Sequence, residues 1–280
     1  MKTTLYNYLV SIITPTFNRT KYLEECIQSV LHQTYPYIEH IIVDGGSKDS
    51  TLDVLKHYSH SYPNRITYIS EPDKGAGEAF NKGIRMARGD IFGWLCSDDL
   101  YQPNAIQAVV EFFQKNPNAY FVHGGCCYIN DKGEMLYTHK PREFSLDELI
   151  NVKNFIAFPS AFYKRTVVEK VGGLDTYGND YDYMIRIAKV FQIYHIDQVL
   201  SSFRVHPESE TGSLQSYYKV LKKDYHVVKQ HGGRLFARKC REYYKLTIIK
   251  RLGLLPLYTF ILKIKKRLKN VERSLMEPRV

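Results

Sequence analysis

The chain has 280 residues, 44% of them hydrophobic, and a formal net charge of +10. It is long enough to bury a sizeable core as one large domain or two small ones. Its five cysteines are odd in number and lack CxxC spacing, so no disulfide framework or zinc site follows and a reducing compartment is expected. The N-terminus enters a strand pattern with no signal-peptide layout, and no run reaches about 18 uncharged apolar residues, so no transmembrane helix is expected.

In chain order, Leu9–Thr14 reads as a buried strand and residues 20–32 as a helix, with Leu23, Ile27, Val30 and Leu31 at helical spacing. Strand patterns then fall at Glu39–Val43, Ile66–Ile69, Ile91–Cys96 and Ala119–His123. Helical patterns at Ser50–Tyr58, Gly77–Ala87 and Pro103–Gln114 alternate with them. This rhythm predicts an α/β fold with a mostly parallel sheet flanked by helices on both faces. Residues 126–140 read as a hairpin around Asp131-Lys132-Gly133. Residues 145–212 mix short elements without regular alternation. After Ser213 the pattern is helical, broken at Gly232-Gly233 and at Gly253–Pro256.

The charge is unevenly spread. Residues 1–218 carry 21 basic and 25 acidic side chains, whereas residues 219–280 carry 18 basic and 4 acidic ones. A mildly acidic body with a strongly basic C-terminal part points to an anionic partner.

Gly89–Asp99 holds the sharpest chemical signal. An apolar run ends in two adjacent carboxylates, Asp98 and Asp99. Two such groups at a strand end repel each other and are costly to desolvate. A hard cation or a set of hydrogen-bond donors relieves both penalties. Open α/β sheets bind ligands at the C-terminal ends of their strands, so the pair points to a metal-and-phosphate site. Three further polar clusters sit at predicted strand ends: Thr14–Arg19, Asp44–Thr51 and Glu71–Gly75. In a parallel sheet all four lie along one edge.

These segments together resemble family 2 glycosyltransferases of the GT-A (Rossmann-like) fold. The likeness is carried by Val10–Arg19, Val43–Thr51, Ser70–Gly83, Gly89–Asp99, Val171–Asp175, Asn179–Ile187 and Phe203–His206, in the family's order. The resemblance implies that Thr14, Pro15, Thr16 and Asp44 line the base and ribose pocket, with Asp73 and Lys74 near the nucleotide. It implies that Asp98 hydrogen-bonds the ribose and that Asp99 coordinates a divalent metal, Mn²⁺ or Mg²⁺, which bridges the diphosphate. Such ions favour carboxylate and phosphate oxygens. The chain has Ser-Asp-Asp rather than a spaced DxD, so the division of labour between Asp98 and Asp99 stays open. Asp180 matches the catalytic base of inverting members, which accepts the acceptor hydroxyl's proton. Asp182 is a rival, but its spacing from Arg186 fits an i,i+4 ion pair and leaves Asp180 the better base. His206 corresponds to a family histidine that reaches the metal or diphosphate. Phe158-Pro159-Ser160 and Val171–Asp175 resemble segments on the acceptor side, and Gly172-Gly173 also fits a helix-ending turn.

The expected organisation is a nucleotide-sugar-binding half over 1–125, an acceptor-binding and catalytic half over 126–212, and a helical, basic extension over 213–280. In the extension, Leu254–Asn270 places Leu257, Phe260, Ile261, Ile264 and Leu268 at helical spacing among lysines. That is the pattern of an interfacial helix on anionic lipid, or of a helix that packs its apolar stripe onto the enzyme body. The combined expectation is an inverting, metal-dependent transferase. It takes a nucleotide sugar, with a UDP-sugar favoured, and a glycan or lipid-linked acceptor. It does not bind nucleic acid, and it works in the cytoplasm on the inner membrane face in polysaccharide biosynthesis. The alternatives are a sugar-phosphate nucleotidyltransferase, against which the absence of glycine in Thr14–Arg19 argues, and a non-catalytic membrane-associated scaffold.

Overall fold

The computed structural model describes residues 7–152, 154–175, 179–209, 213–254 and 256–258. The elements run β1 (Val10–Thr16), α1 (Thr20–Leu31), β2 (Ile38–Asp44), α2 (Thr51–Ser61), β3 (Ile66–Ser70), α3 (Ala76–Met86), β4 (Ile91–Trp94), β5 (Leu100–Tyr101) and α4 (Ala105–Lys115). They continue with β6 (Phe121–Ile129), β7 (Met135–His139), α5 (Leu146–Asn151), a 3₁₀ turn at Phe158–Ser160, β8 (Ala161–Lys164), α6 (Arg165–Val171), α7 (Asp180–Ala188) and β9 (Ile193–Arg204). Two helices, α8 (Leu214–Gln230) and α9 (Arg238–Arg251), follow.

One sheet takes the order β3-β2-β1-β4-β8-β6-β9-β5, with β7 paired to β6. The four strands β3-β2-β1-β4 are mutually parallel, as the βα alternation predicts. Beyond β4 the pairing is mixed. β8 runs antiparallel to both β4 and β6, β6 and β9 are parallel, and β5 and β7 pair antiparallel with β9 and β6. The hairpin expected around Asp131–Gly133 is the β6–β7 pair, with Gly133 at φ +84° in its turn.

β1 and β2 are buried along their full lengths, so both faces of these strands must be covered. On one face Val10 and Ile12 pack with Cys26 and Val30 of α1 and with Ile106, Val109 and Phe113 of α4. On the other face Ile13 meets α3 at Gly83, where a Cβ would have no room. Each fully buried Ile or Leu side chain contributes roughly 1.5–3 kcal/mol. A Cβ on Gly93 of β4 would lie 2.7 Å from both Phe162 Cε1 and the Tyr101 hydroxyl, which explains a glycine inside this central strand.

The register places Thr16 opposite Asp44 and Asp44 opposite Ser70. The polar clusters that follow β1, β2, β3 and β4 therefore share one sheet edge. Described residues up to Leu149, with Asn154–His206, form one compact unit; Ile150–Val152 and the described residues from Pro207 onward form another. In the second unit α8 buries Leu221, Val227 and Val228, and α9 buries Cys240 and Leu246. Lys239 pairs with the buried Asp224. The expected interfacial segment Leu254–Asn270 lies outside the described residues from position 259 on. Among the described residues no helix is long and apolar enough to cross a membrane.

Candidate active site

β4 ends at Trp94, and the chain turns at once. The Asp99 backbone N–H donates to the Cys96 carbonyl at 2.9 Å, closing a turn that presents residues 96–99 at the sheet edge. Asp99 is 1% exposed. Its Oδ1 accepts the Arg204 backbone N–H at 2.9 Å, and its Oδ2 is buried with no hydrogen-bond partner. Burial, and then the neighbouring Asp98 charge, push the Asp99 carboxyl well above the usual carboxylate range; the Arg204 amide and guanidinium oppose the rise. A buried carboxylate oxygen without a donor costs stability unless something positive meets it. Cys96, Asp98 and Asp99 each offer a ligand atom, and these atoms all lie within 4.8 Å of one another. The donor set fits a divalent cation.

Asp98 is held from two sides. His206 Nε2 lies 2.9 Å from its Oδ2, and Arg19 Nε lies 3.9 Å from the same oxygen. His206, 3% exposed, also packs on Tyr22 with ring centroids 4.8 Å apart. The histidine that the resemblance assigns to a metal or diphosphate is thus engaged with the Asp98 carboxylate.

Arg204 ties the region together, and the sequence reading gave it no role. Its Nε donates to the Asp98 carbonyl at 3.0 Å and its Nη2 to Glu25 at 2.6 Å. A guanidinium 1% exposed at the end of a strand is a core position occupied by charge. The sequence carried no signal for it, because β9 mixes polar and apolar residues without a clear period.

Asp44 is fully buried. Its Oδ2 accepts from the backbone N–H of Gly46 (3.2 Å) and of Ser47 (3.0 Å) and from the Ser70 hydroxyl (2.6 Å), while Ser47 Oγ donates to Oδ1. The carboxylate folds the loop after β2. That loop is tied to the one after β1 through Asn18, whose N–H donates to Ser47 Oγ at 2.7 Å and whose Oδ1 accepts the Lys48 N–H at 2.8 Å. Asn18 has φ +50°, a left-handed conformation that asparagine adopts more readily than most residues. Thr14 turns inward, its hydroxyl 2.8 Å from His40 Nε2. His40 is fully enclosed, and burial lowers its pKa to about 3, so it is neutral. Thr14, itself fully buried, thus engages a neutral histidine at the end of β1. Two residues on, Thr16 Oγ1 is buried without a partner at the strand end. Asp73 accepts the Gly75 N–H at 2.8 Å and packs against Gly45, where a Cβ would lie 3.0 Å from Asp73 Oδ2. Lys74 is exposed.

Asp180 opens α7 and is half-buried. Asn179 caps the helix, its side chain accepting the Asp182 N–H at 3.2 Å. Asp182 is bound by Arg186 at 2.7 Å, as the i,i+4 spacing predicts. Arg186 also donates to the carbonyls of Val171 and Gly173, which locks α7 to the end of α6. Gly172, at φ +79°, is the C-cap of α6, the helix-ending turn expected of the glycine pair. The Asp180 charge acts on Tyr128 of β6, as does that of Asp99, and burial is the main reason the Tyr128 phenol is pushed up.

The strand order, the helices on both faces and the acidic turn after β4 are those of a GT-A-type fold. The sequence profile of glycosyl transferase family 2 matches residues 11–172, and the chain belongs to that family. An uncharacterised glycosyltransferase of Rickettsia typhi is 34% identical over 223 residues, covering 76% of this chain and 69% of that protein. The chondroitin synthase of Escherichia coli is 28% identical over 237 residues, but the match covers 34% of its length and 82% of this chain. Among solved structures, the mannosyltransferase PcManGT from Pyrobaculum calidifontis, in complex with GDP-Man and Mn²⁺, is similar with a TM-score of 0.64 and 18% identity, covering 98% of this chain and 82% of that one. TarS of S. aureus, residues 1–349 in complex with UDP-GlcNAc, gives a TM-score of 0.57 at 16% identity, covering 84% of this chain and 71% of that one. Family membership makes the chain a glycosyltransferase and removes the nucleotidyltransferase reading.

Proposed function

We propose that the protein is an inverting, metal-dependent glycosyltransferase that moves one sugar from a nucleoside diphosphate to a hydroxyl of a glycan or lipid-linked acceptor. The observation that carries this reading is the buried, unpartnered Asp99 Oδ2 at the C-terminal edge of the parallel strands. Asp99 and Asp98 would hold Mn²⁺ or Mg²⁺ against the diphosphate. When bound, the metal offsets the charge that grows on the departing nucleoside diphosphate. Arg204 and His206 fix the two carboxylates so that they meet the ion in a preset geometry.

The loops after β1, β2 and β3, organised by Asp44, Asn18 and Asp73, form the walls of the nucleotide pocket, with the buried Pro15 and Thr16 at its base and the exposed Lys74 at its edge. Asp180 accepts the proton of the acceptor hydroxyl while that oxygen bonds to the anomeric carbon. The bond from that carbon to the phosphate oxygen breaks on the opposite face, which inverts the configuration. Asp180 lies in the first turn of α7, where the helix dipole favours the ionised carboxylate that a base must be. Asp182 cannot serve without giving up Arg186.

The likeness to enzymes solved with GDP-Man and Mn²⁺ or with UDP-GlcNAc supports a nucleotide-sugar donor without selecting the base. Calorimetric titration with UDP, GDP, dTDP and CMP, with and without Mn²⁺, tests the proposal. Tight, Mn²⁺-dependent binding of one nucleoside diphosphate is the expected result. Binding that ignores the metal, or transfer that retains anomeric configuration, contradicts it.

A further inference from the structure

We infer that Cys96 supplies a thiolate ligand to the divalent-metal position, so that this chain's site prefers softer cations to Mg²⁺. The inference rests on the metal-dependent reading above and concerns a residue which that reading leaves unused. Three observations meet here. The turn closed by the Asp99 N–H on the Cys96 carbonyl brings residues 96 and 99 to the same side of the strand end. The Cys96 sulfur and the carboxylates of Asp98 and Asp99 offer ligand atoms all within 4.8 Å of one another. Asp99 Oδ2, in a residue 1% exposed, has no hydrogen-bond partner.

A metal–sulfur bond of about 2.3 Å opposite a metal–oxygen bond of about 2.1 Å spans roughly 4.4 Å, so one first-row ion can reach such a set with a small adjustment. The sulfur is also positioned. Trp94 Nε1–H donates to Cys96 Sγ at 3.1 Å, and the Trp94 indole is itself packed against Phe80 and Phe158, with ring centroids at 4.2 and 4.9 Å. His206 is turned to Asp98, which leaves the thiol as the nitrogen-or-sulfur donor of the group. On metal binding the S–H bond breaks, its proton passes to solvent, and the sulfur–metal bond forms. Thiolate favours Zn²⁺ and softer ions, while carboxylate-only sites suit Mg²⁺.

The test uses the full-length, nucleotide-free protein titrated with Cd²⁺. It follows the ultraviolet thiolate-to-metal charge-transfer band, with parallel calorimetry for Cd²⁺ and Mg²⁺. The wild type should show a saturable band. Cys96→Ser should abolish it and weaken Cd²⁺ binding by about tenfold or more, while Mg²⁺ affinity moves by less than about threefold. Cys127→Ser, at the other partly exposed cysteine, should keep both the band and the affinity. A band that survives in Cys96→Ser, or equal weakening of the two ions, overturns the thiolate ligand. Mn²⁺-dependent nucleotide binding is measured on the same wild-type sample. Its absence removes the metal-dependent reading itself, whereas its presence beside an unchanged Cys96→Ser removes only the role of the thiol.

Discussion

At the scale of single residues, Asp99 and Asp180 make opposite demands on the fold. Asp99 is enclosed beside another carboxylate, and its folded-state pKa lies well above the ordinary value. The native state thus holds that proton to a higher pH than the unfolded chain does. The destabilisation is fully present above the folded value and disappears as the pH falls through it toward the unfolded one. Asp99→Asn keeps an acceptor for the Arg204 amide and removes the charge. The metal-free variant should melt higher than wild type by roughly 2–4 °C near neutral pH, on the order of 1 kcal/mol, with the gap closing in acid. Thermal scans across pH read this directly, and a variant less stable at neutral pH contradicts it. The same substitution should remove metal-dependent nucleotide binding. Asp180→Asn, by contrast, should retain nucleotide affinity and lose turnover by about 10²–10⁴-fold, the usual range for a missing general base. Equal loss of donor affinity in both variants would mean that Asp180 is not the base. The sequence pointed to both residues, and to the ion pair that occupies Asp182. It did not show that Thr14 turns to His40, nor that His206 turns to Asp98, because side-chain direction at a strand end is set by neighbours distant in sequence.

At the scale of elements, the alternating first part of the chain and the C-terminal helices were legible, and the segment between them was not, for a physical reason. From β1 to β3 each strand is followed by its own crossover helix, so apolar runs and amphipathic stretches alternate along the chain. β5, β8 and β9 do not stand out in that rhythm. β5 has two residues and β8 has four. β9 has twelve, but its burial pattern is irregular because it pairs with β6 through register shifts and also with β5. These strands are specified by partners far away in the chain. Arg204 shows the consequence. It closes β9 against the turn after β4 by hydrogen bonds to Asp99 and Asp98, and its guanidinium also reaches Glu25 of α1 and the Asp131 carbonyl. Arg204→Ala removes the three side-chain bonds, empties a buried volume and should destabilise by about 3 kcal/mol. Glu25, whose side chain is 57% exposed, is one of several partners of that buried guanidinium, so Glu25→Ala should cost less than Arg204→Ala, about 1–2 kcal/mol. Denaturant melts of the two variants separate the packed strand anchor from its carboxylate partner. Similar losses in both would assign the stability to the pair.

At the scale of the whole molecule, charge is segregated along the chain. The first 218 residues carry a slight acidic excess, and residues 219–280 carry 18 basic against 4 acidic side chains. Binding a nucleoside diphosphate needs only a local positive site, and Asp98, Asp99 and Asp180 all lie in the acidic part. The basic excess lies outside the stretch from Thr14 to His206 that the donor reading uses. In α8 and α9 it lines a groove of Lys219, Lys222, Lys223 and Lys250 beside Tyr218 and His226. Beyond them, residues 254–280 add seven basic and two acidic side chains to an apolar stripe. A lysine or arginine near an anionic bilayer contributes about 1 kcal/mol, and this attraction is screened by salt. Removing residues 254–280 takes away apolar stripe and charge together. It should weaken binding to phosphatidylserine-containing vesicles by roughly a hundredfold or more, with the remaining affinity held by α8 and α9 and falling steeply with salt. Nucleotide binding and hydrolysis of the donor should be unchanged, because every residue assigned to that chemistry lies between Thr14 and His206. Vesicle flotation of the truncated and complete chains at two salt concentrations decides the matter. If flotation is undiminished by the truncation, the apolar stripe is not a lipid anchor, and the positive charge of α8 and α9 alone accounts for the attraction.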